Sequence, residues 1–417
     1  MGLQMVQLTR WLFIFAGGFF WMAAAVAEEP NIATTPASGA SHRMHEGTTC
    51  TEPGLKCATS VTPAFSSDGR LWLAWAAGGE VSVAFSTDQG GSFSSPVVVG
   101  PHADRLDAGS ESRPQLLIDK QGRMTVAWGV FKDDKYNSQV YLATSQDGGA
   151  HFSEPRPLAD NPVSQRFPLL AADDDGNIFA AWVDKRNGGT DADGRKLPGA
   201  ALAYAWSRDG GNSFAPVQIA DQPLCECCRL GLAMGDDGKP VIVYRKLFEG
   251  GIRDHAVLTF DKDKPGRILR VADDDWAING CPHHGPALAV MDDGSYHVAW
   301  FTQGAKRQGA FYAYKKPGAA SFSTPLPIGA AGKMAGRSYL LANGNKLWLV
   351  WKEVVEKQTT VYARMSGDRG RHWSKARMIA ETSGYSDHPL LIKNAGQTWL
   401  SWFTRNEGYR LIALQKK

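Results

Sequence analysis

The sequence predicts an all-β propeller, and three observations lead there. The form Ser-x-Asp-x-Gly-x-x-aromatic occurs four times: Ser86, Asp88, Gly90 and Phe93; Ser145, Asp147, Gly149 and Phe152; Ser207, Asp209, Gly211 and Phe214; Ser366, Asp368, Gly370 and Trp373. A turn residue is followed six positions later by an aromatic at Gly69/Trp75, Gly122/Trp128, Gly176/Trp182, Gly238/Tyr244, Gly294/Trp300, Asn345/Trp351 and Gly396/Trp402. Those aromatics lie 53, 54, 62, 56, 51 and 51 residues apart, room for three or four strands per unit. Tandem units of this size arranged round a channel are propeller blades.

Each Ser-Asp-Gly signature is read as a stapled hairpin. The Ser and Asp side chains bond turn amides, Gly supplies positive φ, and the aromatic covers the blade interior. Units four and five have lost the staple, with Asp261 to Gly266 and Pro317 to Phe322 in its place. Runs such as Leu71-Trp72-Leu73-Ala74 and Leu347-Trp348-Leu349-Val350 are dense apolar strands covered on both faces. Seven units predict a seven-bladed ring of four-stranded antiparallel blades over residues 57–417. The last unit has room for three strands, so a closing strand is expected from the segment before unit one.

Residues 1–27 read as a signal peptide: Arg10, an apolar run from Trp11 to Ala24, and an Ala25-Val26-Ala27 cleavage site. The run is short for a span, and no later stretch is apolar enough to cross a bilayer. The expected location is therefore periplasmic or secreted. Residues 28–56, rich in Ala, Thr, Pro, Ser and Gly, read as a flexible leader. Formal charge is +3, with 45 basic against 42 acidic residues and no basic block, which argues against nucleic acid as a partner.

Inner strands precede the Asp-Gly turns and all run the same way, so the residues just before them meet at one end of the channel. They are Thr62, Arg113, Arg166, Arg229, His284, Arg337 and His388. Converging guanidinium groups bind a carboxylate, sulfate or phosphate by paired hydrogen bonds. The competing expectation is that each Arg neutralises a neighbouring acid such as Asp107, Glu111 or Asp387.

The repeated Ser-Asp-Gly boxes make the chain resemble the sialidase superfamily of Asp-box (BNR-repeat) propellers. The resemblance implies three arginines gripping a substrate carboxylate, drawn here from Arg113, Arg166, Arg229 and Arg337, with His388 beside them. It implies a Tyr nucleophile paired with a Glu, matched by Tyr385 in Gly384-Tyr385-Ser386-Asp387 and by Glu226. An acid/base is matched by Asp184 or Asp107. The implied activity is exo-glycosidase action on an anionic carbohydrate. Sialidases of this family have six blades and open with an aromatic-Arg-Ile-Pro signature, where this chain has seven units and Ser60-Val61-Thr62-Pro63.

Six cysteines remain: Cys50, Cys57, Cys225, Cys227, Cys228 and Cys281. In an exported chain, disulfides are the first expectation, Cys281 with one of Cys225, Cys227 or Cys228, and Cys50 with Cys57. The alternative is a copper or zinc site built from Cys225, Cys227, Cys228, Cys281, His283 and His284, with His42, Met44 and His45 as further copper ligands. On that alternative the propeller is a non-catalytic module binding metal or a partner protein.

Overall fold

The computed structural model describes residues 52–101, 105–160, 163–186, 199–261, 263–278 and 280–415. The signal peptide, the start of the leader and Cys50 lie outside them. The described chain is a succession of antiparallel strand meanders in six hydrogen-bonded sheets. Their first strands are Val61–Phe65, Gln115–Ile118, Gln165–Ala172, Gly231–Met234, Ala287–Val290, Ala335–Asn343 and Leu390–Asn394. The third and fourth meanders share one eight-stranded sheet through a single pairing, Leu224 with Lys246. Each first strand lies beside the next, and Leu390–Asn394 lies beside Val61–Phe65.

All seven predicted aromatics are buried: Trp75, Trp128, Trp182, Tyr244, Trp300, Trp351 and Trp402. A buried indole N–H needs an acceptor. Trp182 donates to Asp184 Oδ2 at 2.8 Å, Trp300 to Asp274 Oδ2 at 2.7 Å and Trp402 to the Asp387 carbonyl at 2.9 Å. The apolar core is divided into clusters that straddle neighbouring meanders. Trp72, Val83 and Trp128 join the first to the second. Val61, Trp75 and Phe403 join the first to the last.

The Ser-Asp-Gly turns form as expected. Ser145 Oγ donates to Asp147 Oδ1 at 2.8 Å and accepts from Gly149 N at 2.9 Å, while His151 N donates to Asp147 Oδ1 at 3.0 Å. The other three copies repeat these bonds. The aromatics differ from expectation: they pack against the preceding meander as well as their own. Phe152 sits in the Trp72 cluster, and Phe93 meets Tyr409 of the last meander edge-on at 5.8 Å. The same close approach dictates the glycine. A Cβ on Gly149, at φ +87°, would stand 2.5 Å from Trp72 of the preceding meander.

Two boundaries differ from the sequence expectation. Residues 52–56, assigned to the leader, pack on the domain: the Pro53 carbonyl accepts from Trp75 Nε1 at 3.0 Å, and Leu55 joins the cluster around Trp75. The last sheet has three strands, and no closing strand joins it among the described residues. Apolar contacts from Ile392, Phe403, Tyr409 and Leu411 join this sheet to the first meander.

Replacing Gly149 by Ala should cost about 1–3 kcal/mol, since the new methyl overpacks against Trp72 and the backbone is left-handed. Urea unfolding of the variant beside the parent protein checks this; an unchanged midpoint would contradict the close packing.

Candidate functional site: the channel mouth and an adjoining thiol cluster

Five of the predicted mouth residues line one cavity of about 250 Å³ on the channel axis: Thr62, Arg113, Arg229, Arg337 and His388, joined by Glu111. Local backbone geometry is unusual at one of these residues, Arg337. Between Gly336 and Tyr339 the strand register slips, with Arg337 at φ +55°. The third meander has the same slip between Arg166 and Leu169, with Phe167 at φ +56°. A bulge of this kind re-aims a side chain at a strand end, and left-handed backbone at a non-Gly residue costs about 1–2 kcal/mol.

The arginines meet carboxylates of this same chain. Arg113 grips Asp387 with two bonds, Nη1 to Oδ2 at 3.0 Å and Nη2 to Oδ1 at 2.8 Å, and both side chains are nearly buried. Arg229 Nε lies 3.2 Å from Glu111 Oε2, and Arg337 Nη1 bonds Glu111 Oε1 and the His283 carbonyl. His388 Nε2 stands 3.7 Å from Glu111 Oε1. Lys352 adds a further cation, its Nζ donating to Ser386 O, Ser386 Oγ and Asp387 O at 3.2, 3.3 and 3.4 Å. Arg113, Arg229 and Arg337 therefore share two carboxylates, Glu111 and Asp387, while Lys352, on uncharged oxygens, lies near enough to feel the charges of Asp387, Arg337 and Arg113. The surplus is reflected in acidity. Burial pushes Arg229 and Arg337 down to about 10 and Lys352 to about 8, with neighbouring cations also lowering Arg229 and Lys352. Burial and the same cations keep His388 neutral, well below the usual imidazole value.

The remaining predicted residues stand elsewhere. Arg166 is bound by Asp107, Nε to Oδ2 at 2.6 Å and Nη2 to Oδ1 at 2.7 Å, and its guanidinium lies over Phe167. His284 stacks on Phe301 with ring centroids 4.1 Å apart, and burial lowers it to about 4.

The catalytic assignments need correction. The Asp184 carboxylate is fully buried and accepts from Trp182 Nε1, Arg186 N, Arg186 Nε and Arg186 Nη2, so it staples a strand end and does not line the cavity. Asp107, the other acid, is taken by Arg166. Glu226 pairs with Lys185 at 2.7 Å. The Tyr385 hydroxyl donates to the Thr59 carbonyl at 2.7 Å and lies 3.1 Å from Ser110 Oγ. Burial, with Asp387 nearby, raises its pKa, the opposite of what a nucleophile requires.

Beside the mouth, the tight turn after strand Gln218–Leu224 carries Cys225, Cys227 and Cys228, all buried. Cys225 Sγ lies 3.5 Å from Cys227 Sγ and 3.4 Å from Cys228 Sγ. These three and Cys281 are free thiols, so the expected bridge from Cys281 to this turn is not formed. Sulfurs at such spacings are far from the roughly 2.05 Å of a disulfide. Cys57 is not among the free thiols. Ligand atoms of Cys227, Cys281 and His283 also fall within 4.8 Å of one another, whereas His284 has turned away to Phe301. Hydrogen bonds from Cys227 and Cys228, with the Arg245 charge, hold the Cys225 thiol low, and Cys227 and His283 lower Cys281 to about 5.

No protein-family model and no curated protein sequence matches the chain. In fold it is similar to a polysaccharide lyase of the PL25 family, an ulvan lyase bound to -[GlcA(1-4)Rha3S]-. That match covers 87% of this chain and 95% of the other, with TM-score 0.57 at 13% identity. The polysaccharide lyase Uly1 aligns over 85% of this chain and 88% of its own, with TM-score 0.53 at 9% identity. A Hadza microbial sialidase covers 83% of this chain and 73% of its own, with TM-score 0.45 at 14% identity. What the chain shares with the two lyases is the fold alone.

Asp387 is the acid whose removal should cost most. Its loss leaves Arg113 buried without its partner, and Asp387→Ala should lower stability by about 3–5 kcal/mol. Urea unfolding at neutral pH measures it; a loss under about 1 kcal/mol would show that the pair carries little.

Proposed function

We propose that this chain is an exported seven-bladed propeller whose channel mouth binds the carboxylate or sulfate of an anionic saccharide. The single observation that carries this reading is the charge surplus: the carboxylates paired with Arg113, Arg229 and Arg337 are only Glu111 and Asp387, and Lys352 stands close by on uncharged oxygens. Glu111 is the movable partner. It is shared between two guanidinium groups, and a ligand oxyanion entering the cavity replaces it with charge-assisted hydrogen bonds of the same kind. Clusters linking each meander to the next, and the last to the first, support seven blades in a closed ring.

An acidic saccharide is the first ligand class to test, since a lyase of the same fold is bound to one bearing glucuronate and sulfated rhamnose. Binding is favoured over sialidase-type hydrolysis because Tyr385 is engaged and poorly acidic, and Asp184 is sequestered. Turnover of a sialoside with a fluorescent aglycone by micromolar protein would reverse that preference.

Titration calorimetry with sialic acid and with uronate- or sulfate-bearing oligosaccharides tests the site. Arg337→Ala and Arg229→Ala should each weaken binding by about tenfold or more, as loss of a charged hydrogen bond of about 1.5–3 kcal/mol requires. Equal affinity in parent and variants would refute the proposal. The pH dependence has a definite sign. Lys352 is charged below its value of about 8, and a bound anion favours that charged form. Affinity should therefore hold through neutral pH and fall as pH rises past about 8. A flat profile from pH 7 to 9.5 would exclude Lys352 from the site.

A further inference from the structure

We propose that the thiol cluster is a binding site for a thiophilic d10 cation, Cu(I) or Zn(II). Its resting position is Cys225–Cys227–Cys228, and its outer transfer position is Cys227–Cys281–His283. Two overlapping groups of ligand atoms support this, each with all members within 4.8 Å and with Cys227 common to both. Metal–sulfur bonds of about 2.3 Å place sulfurs roughly 3.7–4.0 Å apart in tetrahedral or trigonal coordination. The observed 3.4 and 3.5 Å need only a slight expansion to admit an ion. Thiolates with one imidazole select soft and borderline ions over calcium or magnesium.

The surroundings suit an anionic thiolate complex. Arg253 Nη1 lies 3.4 Å from Cys225 Sγ. The buried Arg245 guanidinium donates to the carbonyls of Arg253, His284 and Phe301, and the His284 bond anchors the loop that carries Cys281. Each thiol releases its proton to solvent on coordination, and these fixed cations balance the charge that remains. The difference in exposure separates the two positions. Cys225, Cys227 and Cys228 are buried, whereas Cys281 is exposed. An ion arriving from solvent meets Cys281 and His283 first. It reaches the inner sulfurs through Cys227 without ever losing all its ligands.

The test uses the full chain, purified reduced and without chelator, then exposed to Cu(I) or Zn(II) in separate arms and desalted. About one ion per chain should be retained in at least one arm, and metal should protect the inner thiols from alkylation, counted by mass spectrometry. Cys227→Ser should abolish retention. Cys281→Ser should slow uptake about tenfold or more while leaving final occupancy unchanged. Four results would overturn the proposal: no retention of either ion, a disulfide from Cys281 to the turn in the non-reduced protein, two ions per chain, or unaltered uptake in Cys281→Ser. Should Cys227→Ser fail to fold, thiol protection in the parent and uptake by Cys281→Ser, whose substitution is at the exposed rim, decide the matter.

Discussion

The structure depends on one carboxylate. Asp387 precedes the first strand of the last meander, and its oxygens take two bonds from Arg113 of the second meander and one from the backbone of Val61 in the first. A single buried side chain thereby holds the end of the chain to its beginning and fixes an arginine of the channel wall. Such a network is costly to leave half-made, because every partner is already desolvated. No strand crosses this junction among the described residues; Asp387, the Tyr385 hydroxyl on the Thr59 carbonyl, Arg405 on the Lys56 carbonyl and the apolar contacts around Trp75 and Phe403 make the join.

The channel mouth follows from that arrangement. Arg113 is committed to Asp387, and the other lining arginines are left to share Glu111. Their lowered pKa values reflect burial first, with the Arg113 charge adding to the effect at Arg229. Catalysis by Tyr385 would need a hydroxyl turned into the cavity, whereas the fold binds it to Thr59 at the inter-meander join. The local wiring of Tyr385 is structural.

The repeat was almost wholly legible in the sequence, because its signals are local. Ser145, Asp147 and Gly149 bond within five residues, and each unit ends in a large aromatic with nowhere to go but the interior. The mouth was legible in part. Thr62, Arg113, Arg229, Arg337 and His388 converge as strand-start residues must, and the competing expectation that neighbouring acids neutralise the arginines describes Glu111, Asp107 and Asp387 well. Arg166 and His284 diverged because a facing carboxylate and a facing ring, both distant in sequence, captured them. Lys352 went unnoticed inside the run Lys346–Val355, although a lysine in so apolar a strand is itself a signal. The free thiols could not be told from a bridge by spacing, since pairing is decided by sulfur positions that only the folded turn defines.

The three-stranded final sheet has a mechanical consequence. Force applied across a hydrogen-bonded ladder is shared among many backbone bonds, whereas a side-chain seam must yield at its few strongest contacts. Under tension applied through the first and last meanders, the side-chain contacts between them would therefore yield before the backbone ladders within each. The third and fourth meanders add one backbone pairing, Leu224 with Lys246, to their shared apolar cluster, and the thiol-bearing turn Cys225–Cys228 follows directly on that pair.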